Sequence, residues 1–346
     1  MQCLFFEKGV VLEQNRLRFD PNKPLQVGGQ AVIEGVMMRA PGKIATAVRR
    51  KNGQIVVQTR AYRSLAEKYG VFKLPILRGA VGLVEMMVIG IETLNFSTEI
   101  AMQDIEAGKN GNGKANAKKN SASNLRLALT VMLSLVVGIG IFFITPLIVT
   151  TKLFNVEQSA FGFNLIAGAI RLGILVSYLV VIALMKDVKR LFQYHGAEHK
   201  AVFTFESQGD LTVDSAKNYT RFHPRCGTSF ILIVMITSML LFSILDAILI
   251  GWLGSISLPV RLLTHLPLIP LVGGAAYEFI RWSAKRSTTP LGKMLVAPGL
   301  WLQRITTNEP DPTQIEVALV ALKCALGEEG LPQVTAIRHV SELALN

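Results

Sequence analysis

Charge is scarce in this chain. Only 17% of its 346 residues are Asp, Glu, Lys or Arg and half are hydrophobic, against about 25% charged in an ordinary soluble domain. With a mean hydropathy of +0.40, that balance argues against a water-soluble enzyme and for an α-helical polytopic membrane protein. Cysteine is also sparse. Cys3, Cys226 and Cys324 are odd in number and widely spaced, which excludes a disulfide framework and fits a reducing compartment. The opening residues, MQCLFFEKGVVLEQNR, lack the basic-then-apolar order and the small-residue cleavage site of a signal peptide, so targeting is expected from an internal segment. No Walker A sequence, dinucleotide fingerprint or G-x-S-x-G elbow occurs, which leaves nucleotide-driven and serine-hydrolase chemistry without support.

What is present is apolar length. Residues 127–151 run 25 positions without a charge, enough helix to cross a hydrocarbon core about 30 Å thick. A second run, 161–185, carries only Arg171, and a third, 228–252, only Asp246. The fourth, 262–282, is shorter, is interrupted by Pro267 and Pro270 and contains His265; it reads as a kinked or partly re-entrant helix. About four transmembrane helices are therefore expected. Arg171 and Asp246 are costly in a bilayer, so either they pair or Asp246 lies at the outer boundary while Arg171 snorkels.

The net charge of +12 reads as an orientation signal, because the basic residues gather beside the apolar runs; no nucleic-acid partner is expected and the lipid bilayer is. Lys and Arg are dense before run one, between runs two and three and after run four, whereas Lys152 and Arg261 stand almost alone in the other two loops. The positive-inside rule then puts both termini and the middle loop in the cytoplasm of a bacterial inner-membrane protein.

This divides the chain into a cytoplasmic α+β portion (1–106), a flexible basic linker (107–124), spans one and two (125–185), a cytoplasmic segment (186–227), spans three and four (228–282) and a cytoplasmic tail (283–346). Within the first portion, KIATAVRRKNGQIVVQTRAYR reads as a β-hairpin turning at Asn52-Gly53. An apolar helix follows at 74–101, with Arg78, Glu85, Glu92 and Glu99 on one stripe, which faces either a polar site or solvent. In the tail, a Thr313 to Glu316 capping box opens an amphipathic helix that reads as a small docking element.

The stretch that suggests chemistry is QYHGAEHKAVF, 193–203. His195 and His199 at i and i+4 share one face of a helix, as two ligands of one divalent metal must, and Glu198 completes H-x-x-E-H, the inverted zinc-protease string in which the glutamate serves as base. The remaining ligand is open among Glu206, His223, Cys226 and Glu278, the latter best matching the spacing of the inverted zinc proteases. Lys200 speaks against a cation site unless it points elsewhere. The plain alternative is a pair of boundary histidines bonded to carbonyls or headgroups, with FHPRCGTSF an interfacial turn.

Four blocks, GGQAVIEGVMMR, LPILRGAVGLVE, QYHGAEHKAVF and RFHPRCGTSF, resemble the signatures of the YqhQ-like family of bacterial membrane proteins. The resemblance implies a multi-pass membrane protein of unknown function labelled a predicted metal-dependent enzyme, with no established substrate. In the first block Glu34 would want Arg39, Arg78 or a metal. The expectation is a divalent metal, zinc first, held by His195, His199 and one of His223, Cys226 or Glu278, with Glu198 as base of a hydrolase. A scaffold or small transporter, with Arg171, Asp246 and His265 lining a polar path, competes with it.

Overall fold

The computed structural model describes residues 27–109, 121–284, 289–328 and 330–340. In chain order these form β1 (Gly28–Val32), β2 (Gly35–Ala40), β3 (Lys43–Arg49), β4 (Ile55–Ala61), α1 (Leu65–Lys68) and α2 (Leu77–Lys109). Then come α3 (Ser121–Ile139), α4 (Thr145–Leu153), α5 (Ala160–Ala183), α6 (Lys186–Glu206), α7 (Val213–Lys217) and α8 (Gly227–Leu253). The last elements are α9 (Leu258–Ala284), α10 (Pro290–Thr306), α11 (Pro312–Ala325) and β5 (Val334–Val340).

The strands form one five-stranded sheet in the order β1-β2-β3-β4-β5. β1 to β4 are an antiparallel meander, and β5 joins β4 in parallel from the far end of the chain. Alternate residues leave a strand on opposite faces. Val36, Met38, Ala45, Ala47 and Val57 meet α6 and α11, while Val32, Met37, Ile44 and Val48 meet Ile89, Phe96 and Ile100 of α2. A sheet covered on both faces explains why β2 and β3 are almost continuously buried. The hairpin expected around Asn52-Gly53 is present; Gly53 adopts φ +86°, a left-handed conformation that glycine takes without a Cβ penalty, and Arg50 and Gln54 close the loop.

α11 is far more than a docking element. It is buried almost throughout from Gln314 to Ala325, and Ile315, Leu319 and Leu322 each contribute about 1.5–3 kcal/mol of apolar burial. Its cap lies two residues earlier than Thr313/Glu316. Asp311 accepts from the Thr313 and Gln314 N–H groups while the Gln314 side chain accepts from the Asp311 N–H, because Pro312 suits the first helical position. Glu316 is left to pair with Arg49.

Among the described residues, four helices are long and apolar enough to cross a membrane: Leu129–Leu153, Ala160–Ala183, Phe230–Leu253 and Leu258–Ser283. The first comprises α3 and α4 joined through a π-helical turn, Gly140–Ile144. The expected interruption at Pro267 and Pro270 does not occur, since α9 runs unbroken through both. Arg171 and Asp246 do not pair. Asp246 accepts from Asn164 (2.7 Å), Arg261 (3.0 Å) and His265 (2.9 Å), and Arg171 donates to the Phe142 carbonyl in the π turn at 2.9 Å and to Ser238 at 3.3 Å.

The charged stripe of α2 faces protein. Arg78 pairs with Glu278 of α9 and Glu92 with Arg60 of β4. Glu99 meets Arg338 of β5, and buried Glu85 accepts from Tyr62, Ser64 and the Leu65 N–H. The seven-residue spacing thus matches a line of partners supplied by the sheet and α9.

Candidate metal centre

α6 follows α5 directly and lies on the sheet, with Tyr194, Ala197 and Ala201 in the shared core. Its motif face meets the end of α10, the loop after α7 and the start of α8. The Nδ1–H of His195 donates to the carbonyl of Thr306, the last residue of α10, at 2.8 Å, and that of His199 to the carbonyl of Arg221 at 2.5 Å. An imidazole that donates through Nδ1 keeps its lone pair on Nε2. The His195 Nε2 lies 3.2 Å from the Cys226 Sγ. The His199 Nε2 is buried without a hydrogen-bond partner.

These three ligand atoms all lie within 4.8 Å of one another. Tetrahedral zinc with nitrogen and sulfur ligands would separate them by about 3.3–3.6 Å, so closing on an ion takes side-chain movements of about an ångström. Cys226 is the N-cap of α8, where the positive end of the helix dipole meets the negative charge a thiolate ligand brings. The donor set fits a borderline-soft divalent ion, and carbonyls holding the distal ring nitrogens are the usual support for histidine ligands.

Two glycines permit this packing. A Cβ on Gly196 would lie 2.2 Å from the Asn308 carbonyl oxygen, so only glycine lets the chain leaving α10 cross α6 there, and Asn308 N–H donates to the Phe192 carbonyl at 2.9 Å. That crossing brings Thr306 to His195. On β1, a Cβ on Gly29 would be 3.1 Å from the Glu198 Cγ and 2.2 Å from the Met37 carbonyl oxygen. Glu198 occupies the space, buried, with Oε2 3.5 Å from the His199 Nε2.

Burial holds the Glu198 carboxyl above the usual carboxylate range, against the opposing pull of His195, His223 and the Gly29 N–H. Burial likewise holds His199 and His223 below the ordinary imidazole range. Neutral imidazoles are what a metal needs; a carboxyl that gives up its proton reluctantly is what proton transfer near neutral pH needs.

The other candidates stand apart from the three-atom group. His223 is close, its ring 5.6 Å from that of His199, but its Nδ1 accepts from the Arg225 N–H and its Nε2 faces Glu206 at 3.4 Å. Glu206 also pairs with Arg225. Glu278 is held by Arg78, whose Nε lies 2.5 Å away, on the α2–α9 contact. Lys200 points elsewhere, to the Lys217 carbonyl at 3.0 Å and Glu309 at 2.6 Å. Glu34 takes an arginine as expected, but it is Arg190, with Tyr194 also donating.

Sequence reasoning did not find Gln303. Fully buried, its side chain accepts from the His223 N–H and donates to the His223 carbonyl, both at 2.8 Å. This clamp holds the loop whose two ends supply the Arg221 carbonyl and Cys226. A polar residue among the apolar positions of α10 was the available signal.

Together these features define a class: a sheet domain joined to four membrane-length helices, with a His/His/Cys cluster where the two meet. Residues 74–328 match the family described as protein of unknown function (DUF1385), and the chain belongs to it. It is 32% identical over 315 residues to the uncharacterized protein YqhQ of Bacillus subtilis (strain 168), covering 90% of this chain and 95% of that relative. No solved structure matches. The matched segment contains the three cluster residues, Glu198 and Gln303, but not β1 to β4.

Proposed function

We propose that this protein is a multi-pass inner-membrane protein that binds a divalent metal, zinc first, at its cytoplasmic face and uses it for hydrolysis. His195, His199 and Cys226 are the ligands, and Glu198 is the adjacent general base. The observation that carries the reading is the pair of imidazoles, His199 buried and His195 half-buried, whose Nδ1 protons are given to carbonyls while the His195 Nε2 lies 3.2 Å from the Cys226 sulfur and the three residues bring ligand atoms within 4.8 Å of one another.

A divalent ion bound there supplies Lewis acidity and makes water nucleophilic near neutral pH. Around it, the chain's residues exclude bulk water, hold the His199 imidazole neutral and keep a carboxyl able to accept and return a proton. Peptide, lipid-linked and phosphate-ester substrates all suit that equipment. The cytoplasmic side follows from the loop charges, with the termini on the same side.

Metal analysis of detergent-purified protein, prepared without chelator, tests this. About one equivalent of zinc, iron or manganese is expected, lost in His195→Ala/His199→Ala; a metal-free wild type would sink the proposal. Glu198→Gln should keep the metal and fail to rescue a null phenotype, and full rescue would remove Glu198 as base. A reporter fused after Ser207 should score as cytoplasmic.

A further inference from the structure

The two long sides of α2 differ. One carries Glu85, Ile89, Phe96 and Ile100, all buried against the rest of the protein. The opposite side carries Val84, Met87, Leu94, Met102 and Ile105, each at least 40% exposed and spaced to share one helical face. Just before the helix, Tyr69, Val71 and Leu74 are exposed as well. Interrupted only at Asn95 and Thr98, an exposed apolar face of this length calls for a partner.

The depth of α2 indicates which. Its first turns pack on α9: a Cβ on Gly79 would lie 2.9 Å from the Gly274 Cα, and the Leu83 Cδ2 would lie 3.3 Å from a Cβ on Gly273. Arg78 reaches Glu278 one turn further along α9. All three α9 residues lie inside the membrane-length stretch Leu258–Ser283. The start of α2 is therefore level with residues of that stretch. Basic residues flank it in the sequence, with Arg63, Lys68 and Lys73 before and Lys109, Lys114, Lys118 and Lys119 after, as suits a helix lying among anionic headgroups.

We infer that α2 and the residues leading into it are a monotopic anchor, with the Val84–Met87–Leu94 face seated in the lipid of the cytoplasmic leaflet. This rests on the proposal that the four apolar helices cross a bilayer with α6 on the cytoplasmic side. The anchor would lay the sheet domain against the membrane on the α2 side, so the domain is held there by more than its covalent links to the spans.

The test uses full-length protein with Trp252, Trp282 and Trp301 changed to Phe, reconstituted in phosphatidylcholine/phosphatidylglycerol vesicles. Single tryptophans go in as Val84→Trp, Met87→Trp or Leu94→Trp on α2, Ile244→Trp on the exposed side of α8 and Asn52→Trp at the hairpin tip. Brominated acyl chains should quench the α2 tryptophans to within about twofold of Ile244→Trp, and iodide should reach only Asn52→Trp. Iodide quenching on α2 alongside bromine quenching of Ile244→Trp would overturn the anchor alone. Protection of α2 from both quenchers would also overturn it, showing protein and not lipid over the face. An Ile244→Trp that bromine does not reach would overturn the membrane crossing and the anchor with it.

Discussion

Two of the buried polar clusters among the described residues are built on opposite plans. Inside the helical bundle, Asp246 is matched by Arg261, His265 and Asn164, while the Arg261 guanidinium also donates to the Glu157 carbonyl at 2.5 Å and lies 3.5 Å from the Phe163 ring centroid. Charge meets charge, and the carboxylate is saturated. At the junction with the sheet, His195, His199 and Cys226 bring ligand atoms to within 4.8 Å of one another. The first arrangement is complete in charge, with only the His265 Nδ1 buried and unpartnered, and ties α5, α8 and α9 together; the second offers donor atoms to a single cation. Burial of ionisable groups therefore does not mark a functional site by itself, and what distinguishes the second cluster is a set of donor atoms within reach of one ion.

The largest effect should come from breaking the complete cluster. Asp246→Ala leaves Arg261 buried without its counterion, which costs about 3–5 kcal/mol, and should abolish or severely lower the thermal unfolding transition in detergent. His195→Ala should lose metal with a much smaller change in the metal-free transition. Equal destabilisation by both would erase the distinction. Next, Gln303→Leu removes both bonds to the His223 backbone and should weaken metal affinity about 10–100-fold, read by competition with a chelating dye. It should also weaken the thiolate-to-cobalt absorption of cobalt-substituted protein, although every proposed ligand is retained.

A smaller effect is expected from pH. Burial holds His199 and His223 below their unfolded value of about 6.5. As pH falls through that value the unfolded chain takes up protons first, so metal-free protein should lose stability below about pH 6.5 until the folded histidines themselves titrate. Chelator-treated wild type should show the fall, and His223→Gln should flatten it. The smallest effect lies outside both clusters. Asp311→Ala removes the cap of α11 at a cost of about 1 kcal/mol, measured by unfolding midpoint. Burial raises the Asp311 carboxyl, but the Thr313 hydroxyl and the Gln314 and Thr313 N–H groups outweigh it and set it below the usual range. Its stabilisation should therefore persist above the unfolded value and vanish as pH falls through the lowered one.

Local features of this architecture were legible in the sequence. Charge-free runs are long enough to report helices of membrane length, Asn52-Gly53 reports a hairpin, and the spacing of His195 and His199 reports a shared face. Partners distant in sequence were not. Cys226, His223 and Glu278 are equally able to bind metal as residue types; the Gln303 clamp on the His223 loop sets Cys226 beside the histidines, while the α2–α9 contact leaves Glu278 with Arg78. The carbonyls of Thr306 and Arg221 were invisible for a simpler reason, since every residue has one. Prolines 267 and 270 misled because a packed helix tolerates missing backbone bonds better than an isolated one. The role of α11 was hidden because its apolar pattern says that it packs, not on what.

β5 carries a consequence for biogenesis. Thr59 of β4 meets His339 of β5 at 2.9 Å across 280 positions of sequence, and every membrane-length helix lies between them. A ribosome therefore delivers β1 to β4 long before α11 and β5 exist to cover and extend them. The meander has to wait, with one face and an edge unprotected, until the bundle has been made. The sheet domain is begun before the described membrane-length helices and finished after them, so removal of β5 should expose the nascent protein to proteolysis at β1 to β4.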